Sequence, residues 1–316
     1  MKINDIYNWI IEKGIEADPR GPEEVKKILE KKKLKYQDLS TEEQQEYDLE
    51  QLSNPYSDTR ILYGDVNREV KTILTGIDIE IGELLLAENL RSKGKNIDLV
   101  LAHHPEGKAV AALHDVMHLQ EDILYKLGVP INIAEDIMSS RIAEVKRGLM
   151  PLNHNRAVDG AKILDIPFMC AHTPADNLVN GFLERLFANN NPETVGDVVK
   201  ILKEIPEYHE AIKINAGPII FVGNKDRRAG KIFVDMTGGT SGSDDAFKQL
   251  AQAGVGTIVG MHIGEKHRKE AEKNHINVVI AGHMASDSLG MNLLLDGLEN
   301  EGIEIICCSG LIRYKR

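Results

Sequence analysis

Residues 97–107, IDLVLAHHPEG, begin as a buried strand and stop on two adjacent imidazoles. Within a regular strand neighbouring side chains point to opposite faces, so His103 and His104 serve one site only if the strand has already ended. Pro105 predicts that end, because proline removes a ladder donor and holds the preceding residue extended. Upstream, VKTILTGIDI (70–79) reads as a second short strand, and IGELLLAENLRSKGK (81–95) as a helix closed by glycine. Strand, helix and strand form a βαβ unit, which implies a parallel sheet. In open sheets of that kind ligands collect beyond the carboxyl ends of the strands.

The same design recurs twice. IPFMCAHTPADN (166–177) is an apolar strand ending in His172, with Asp176 four residues on, and INVVIAGHMASD (276–287) ends in His283 with Asp287 at the same spacing. An i, i+4 pair shares one face of a helical turn. Singly, a histidine at a strand end is an ordinary hydrogen-bonded polar residue, and HTPAD or GHMASD a turn with an Asp cap. Together the three ends offer a metal-ligand palette of imidazole and carboxylate. Five or six such groups exceed what one tetrahedral ion takes and suit two ions about 3.5–4 Å apart, bridged by a carboxylate and a water.

Four segments, IDLVLAHHPEG, FMCAHTPADN, DMTGGTSGSDDAFKQLAQAGVGTIVGM and NVVIAGHMASDSLGMNLL, resemble in this order the signature segments of the Nif-three-like family, often labelled GTP cyclohydrolase I type 2 homologues. The resemblance covers roughly residues 65 to 316. It implies an α/β fold of two α/β halves with mixed sheets, a dinuclear metal centre and a toroidal homohexamer. It also implies metal ligation by His103, His104, Asp176, His283 and Asp287, with His172 a neighbour of the site. Asp287 stands where the family usually has a bridging glutamate, one methylene longer.

The expected organisation is a helical extension over 1–60, with solvated faces, followed by an α/β metal-binding region over 61–316. The halves of that region fall at about 61–180 and 215–316, with a helical insertion at about 108–165. Helix-start signals lie at Pro22 and at Ser40-Thr41-Glu42-Glu43. The stretch GPIIFVGNKDRRAGKIFVDMTGG (217–239) reads as a β-hairpin. LHDVMHLQED, with His114 and His118 four apart, faintly resembles the helical HExxH of zinc proteases, but aspartate replaces the glutamate base and no third ligand follows. GGTSGSDDAF sets glycines and hydroxyls before a helix start, either an anion cradle or a turn capped by Ser243 or Asp244. GMHIGEKHRKEAE supplies His262, Glu265 and His267 just past a fourth strand.

The chain has 316 residues, 42% of them hydrophobic, enough to bury a substantial core. Its net charge of −11 repels nucleic acid and anionic lipid, leaving a small molecule as the expected partner. Its three cysteines show neither CxxC spacing nor a disulfide framework. With neither a signal-peptide pattern nor a long apolar span, the expectation is a cytoplasmic protein. Two divalent ions (Zn, Mn, Fe, Co or Ni) are expected as cofactors, and the expected activity is that of a metal-dependent hydrolase using a metal-bridging water. The family label suggests ring hydrolysis of a purine nucleotide, with His172 or Glu265 as acid for the departing nitrogen. The competing class is a non-catalytic metal-binding regulator, chaperone or assembly scaffold.

Overall fold

A computed structural model describes residues 1–316. The N-terminal stretch forms α1 (Ile3–Glu16), α2 (Pro22–Gln37) and α3 (Thr41–Glu46). Pro22 opens α2, and Ser40 and Glu43 cap α3 reciprocally, as their spacing predicts. In chain order there follow β1 (Arg60–Tyr63), β2 (Thr72–Gly76), α4 (Ile81–Ser92), β3 (Leu99–Ala102), α5 (Lys108–Ala111), α6 (His118–Leu127), α7 (Ile131–Leu149), α8 (Arg156–Leu164) and β4 (Phe168–Cys170). Next come α9 (Thr173–Asn190), α10 (Val195–Lys203) and α11 (Pro206–Lys213), which lead into a second sheet. That part comprises β5 (Ile219–Val222), β6 (Lys231–Asp235), α12 (Ala246–Gln252), β7 (Val255–Gly260), α13 (Glu265–Lys273) and β8 (Asn277–Ile280). The chain closes with α14 (His283–Asn300) and β9 (Glu304–Cys307).

The first sheet runs β1-β4-β3-β2-β9 and the second β5-β8-β7-β6. Both are mixed: parallel pairs throughout, with one antiparallel edge strand, β1 on β4 and β5 on β8. Alternate side chains of each strand serve opposite faces. In the first sheet Ile73, Leu99, Leu101 and Met169 face α1, α9 and α14, while Leu74, Val100 and Phe168 face α4 and α8. In the second, Val234, Val259 and Val279 meet α9, α10 and α14, while Phe233, Ile258 and Val278 meet α6, α7 and α12. Helices α9 and α14 thus form a central layer between two sheets. Accordingly α14 buries residues all round its circumference, the pattern of a helix without a solvent face.

Two expectations are corrected. Residues 217–239 do not form a hairpin: β5 and β6 lie at opposite edges of their sheet. The polar loop between them pairs with the α9–α10 connection, through Val195 N to Arg227 O and Ala229 N to Glu193 O (both 2.9 Å), so it does not fold β6 back onto β5. The N-terminal helices are not uniformly solvated either, since Ile3, Ile6 and Ile10 of α1 are fully buried in the core of the first sheet. No helix is long and apolar enough to cross a membrane.

Candidate metal centre

Strand β3 lies mid-sheet and all its side chains are buried, so its end delivers side chains into the molecule. It stops at Ala102, as Pro105 requires. The amides of His103 and His104 still donate to Gly76 O (2.9 Å) and Ile77 O (3.0 Å), which fixes both residues on the end of β2. Their rings lie 5.2 Å apart, centroid to centroid, and tilt by 41°. Strand β4 leads into α9, whose first turn carries Asp176, and β8 leads into α14, which carries His283 and Asp287. The site therefore lies where the carboxyl ends of strands from both sheets meet the starts of the two central helices.

Asp287 is the hub. Its Oδ1 is 3.5 Å from His103 Nε2, and its Oδ2 is 3.4 Å from His104 Nε2 and 3.5 Å from His283 Nε2. Asp176 Oδ1 lies 3.5 Å from His103 Nε2 on the first side. Two triads result, His103/Asp176/Asp287 and His104/His283/Asp287, and the ligand atoms within each lie within 4.8 Å of one another. A third grouping, His103/His104/His172, meets the same criterion.

These distances exceed good hydrogen bonds. His103 Nε2, Asp176 Oδ1 and both carboxylate oxygens of Asp287 are buried without a hydrogen-bond partner. Four unanswered polar atoms converging from three elements carry a large desolvation cost that a cation removes. The donor set, imidazole nitrogen and carboxylate oxygen, fits a divalent transition metal. These His and Asp groups can hold a metal ion.

The far side of three of the imidazoles is fixed by an acceptor. His103 Nδ1 donates to Ala171 O (3.1 Å), His104 Nδ1 to Asp78 Oδ1 (2.6 Å) and His172 Nδ1 to Asp58 Oδ2 (2.8 Å). A carbonyl or carboxylate only accepts, so the proton belongs on Nδ1, and in neutral His103 and His104 the Nε2 lone pair faces the centre. Asp58 is fully buried and also accepts from Thr173 Oγ1 at 2.6 Å. Neither Asp58 nor Asp78 belonged to the set read from the sequence.

Charge is divided unevenly. Burial pushes His103 down to about 4, keeping it neutral. Burial also pulls on His172, but the carboxylates of Asp176, Asp58 and Asp287 outweigh it and raise the ring to about 9. Burial lifts Asp176 to about 7, helped by the negative Asp287 and opposed by His172. Asp287 is buried too, yet three imidazoles hold it well below the usual carboxylate range.

A NIF3 superfamily protein from Sphaerobacter thermophilus shares this architecture with a TM-score of 0.72 and 27% sequence identity, over 81% of this chain and 92% of that one. The chain has the NIF3 superfamily fold and is similar to this member of it. Reduced HcgD from Methanocaldococcus jannaschii shares the fold at greater distance, with a TM-score of 0.52 and 18% identity over 81% of this chain and 91% of that one. No family model and no curated protein sequence matches the chain.

In this Nif-three-like chain a cleft of about 700 Å³ opens from His104, His172, Asp176, His283 and Asp287 and runs beneath α6 and α7 to the second sheet. His262 and His267 line it, and the rings of His262 and His283 lie 5.1 Å apart. Glu265 does not join them: its side chain is 62% exposed and paired with Arg268 at 2.8 Å, because its position at the start of α13 turns it to solvent. The structure therefore withdraws the acid role considered for Glu265. His114 and His118 do not line the cleft; the chain breaks between them into a 3₁₀ turn, and each pairs with a local carboxylate. In the glycine-rich segment Ser243 Oγ accepts from Asp245 N at 3.3 Å, a turn rather than a helix cap.

Proposed function

We propose that this Nif-three-like protein binds two divalent metal ions and hydrolyses a small-molecule substrate in the cleft beside them. The observation that carries the reading is Asp287, a buried carboxylate whose two oxygens each face a different His/Asp triad and find no protein donor. His103 and Asp176 would hold one ion, His104 and His283 the other, with Asp287 shared. When bound, the ions supply a water acidified to near-neutral pKa and an electrophile for a substrate oxygen or nitrogen.

The chain's own residues supply position and a proton. Asp58 fixes the His172 ring through Nδ1, while Nε2 points toward Asp176 Oδ2 at 3.8 Å and lies beside the cleft. Asp58 at Nδ1 favours the protonated ring, whose pKa is raised to about 9 in the metal-free chain, and a protonated His172 would give its Nε2 proton to a leaving nitrogen or oxygen. The apolar walls of the cleft limit the water that competes with substrate. Opening of a nitrogen heterocycle, the reaction named in the family label, is the form to test first, in a homohexamer as the resemblance implies and in the cytoplasm as the sequence leads us to expect.

The test joins metal content with turnover. Protein grown without added metal and measured by elemental analysis should hold close to two ions per chain. A screen over nucleotides, phosphoesters and small cyclic amides should then find one hydrolysed substrate. His172→Gln should lower kcat by about 10²–10⁴-fold while leaving metal content intact. Metal binding without turnover of any compound would return the protein to the scaffold or regulator class.

A further inference from the structure

Outside the candidate metal centre, the cleft contains one acidic side chain without a protein partner. On β6, Val234 and Met236 enter the core shared with α9 and α14, whereas Phe233 faces the opposite way, among Met138, Phe247 and Ile258. Asp235 follows Phe233 by two residues, shares its face and lines the cleft. An apolar side chain would complete that wall.

Asp235 makes neither a hydrogen bond nor an ion pair through its side chain. The one arginine of the cleft, Arg141, is committed to Ser241 O (3.0 Å) and Glu144 Oε2 (2.8 Å). His267, the one ionisable group that acts on Asp235 electrostatically, donates Nε2–H to Gly242 O at 3.0 Å. Asp235 is also outside every grouping capable of holding a metal. Asp235 is exposed to the space of the cleft, so its carboxylate is free to meet a ligand there. The protein around it raises its pKa to about 6, with His267 acting the other way, and it is mostly ionised at neutral pH.

We propose that Asp235 determines specificity in this cleft by pairing with a head of adjacent N–H donors, amidine-like in geometry, on a flat apolar ligand. Two side-by-side N–H groups match a carboxylate in a bidentate pair. Phe233 and Phe247 offer aromatic walls for a planar body, and the carboxylates of Asp235 and Glu144 disfavour an anionic head at this end. The inference rests on the reading of the cleft as the place where substrate meets the metal centre, and it names the class of group that meets the wall formed by β6.

Benzamidine is the probe, with benzoate and toluene as anionic and apolar counterparts, each titrated calorimetrically into metal-free and metal-loaded protein. Benzamidine should bind tightest in both forms. Asp235→Asn should weaken it by about tenfold or more, the size of a charged pair, and Asp235→Leu should abolish the preference over toluene. Metal content should stay unchanged in both variants. Absence of benzamidine binding to the wild type, equal binding of benzoate, or benzamidine affinity unchanged in Asp235→Asn overturns the proposal. Failure of the wild type to take up metal sinks the hydrolase reading alone, because the metal-free titration still reads Asp235.

Discussion

The residues that hold the centre together fall into two groups, and only one was readable. The five candidate ligand positions share a signature, an apolar strand that runs into polar side chains, and the structure gathers the other four around Asp287. Asp58 and Asp78 carry no such sign. Asp58 precedes β1 and meets His172 only because β1 pairs antiparallel with β4, a partnership set by the whole sheet. Glu265 stands at a strand end as well, but the first turn of α13 directs it outward to Arg268. The raised pKa of Asp176 has a measurable consequence. Asp176, at about 7 against an ordinary 3.8, favours its neutral form in the metal-free chain. That raised value stabilises the metal-free fold at low pH, and the contribution is lost as pH rises through about 7. Below about 7 a metal must displace the proton to reach the carboxylate, so apparent metal affinity should fall by about tenfold per pH unit. Chelator competition between about pH 5 and pH 8 reads this slope, and a flat profile there contradicts the assignment of Asp176 as a ligand.

At the scale of elements, two helices set the spacing of the carboxylates. Gly290 of α14 lies against α9 so closely that a Cβ there would come within 2.4 Å of Ala175 O, the residue before Asp176. This approach places the turn bearing Asp176 against the helix bearing Asp287. Gly290→Ala should force the helices apart, costing about 1–3 kcal/mol in urea denaturation, and should weaken metal binding beyond that loss of stability. Normal metal affinity in a destabilised variant would separate packing from site geometry. The two sheets also repeat one order: β1-β4-β3-β2 corresponds to β5-β8-β7-β6, each with its antiparallel strand at the edge. In that correspondence α9 and α14 are equivalent, which accounts for the matching His172/Asp176 and His283/Asp287 spacings. The parallel strands were legible because their apolar runs are short and bounded. The supposed hairpin was not: GNKDRRAG has local turn chemistry, but β7, delivered through α12, supplies β6 with its parallel partner.

Across the whole molecule, the N-terminal helix belongs to the core. Ile10 is fully buried, and Trp9 of the same helix packs so closely on α14 that a Cβ at Gly297 would lie 2.4 Å from its ring. Composition concealed this, because the lysine- and glutamate-rich α2 dominates the region while α1 keeps a single apolar stripe. Ile10→Ala should cost about 2–5 kcal/mol, read by urea denaturation with the fluorescence of the single tryptophan. The loss should appear in one transition common to tryptophan fluorescence and circular dichroism. An early fluorescence change with the remaining helical signal intact would show α1 to be an independent appendage.

Strand β9, the last element of the chain, pairs parallel with β2 from Thr72 opposite Glu304 to Thr75 opposite Cys307. Its partner β2 is made long before it and keeps that edge open until β9 emerges. His103 and His104 likewise leave the ribosome well before Asp287, the residue both of them face, so the candidate metal centre is assembled only once the segment of α14 has been made.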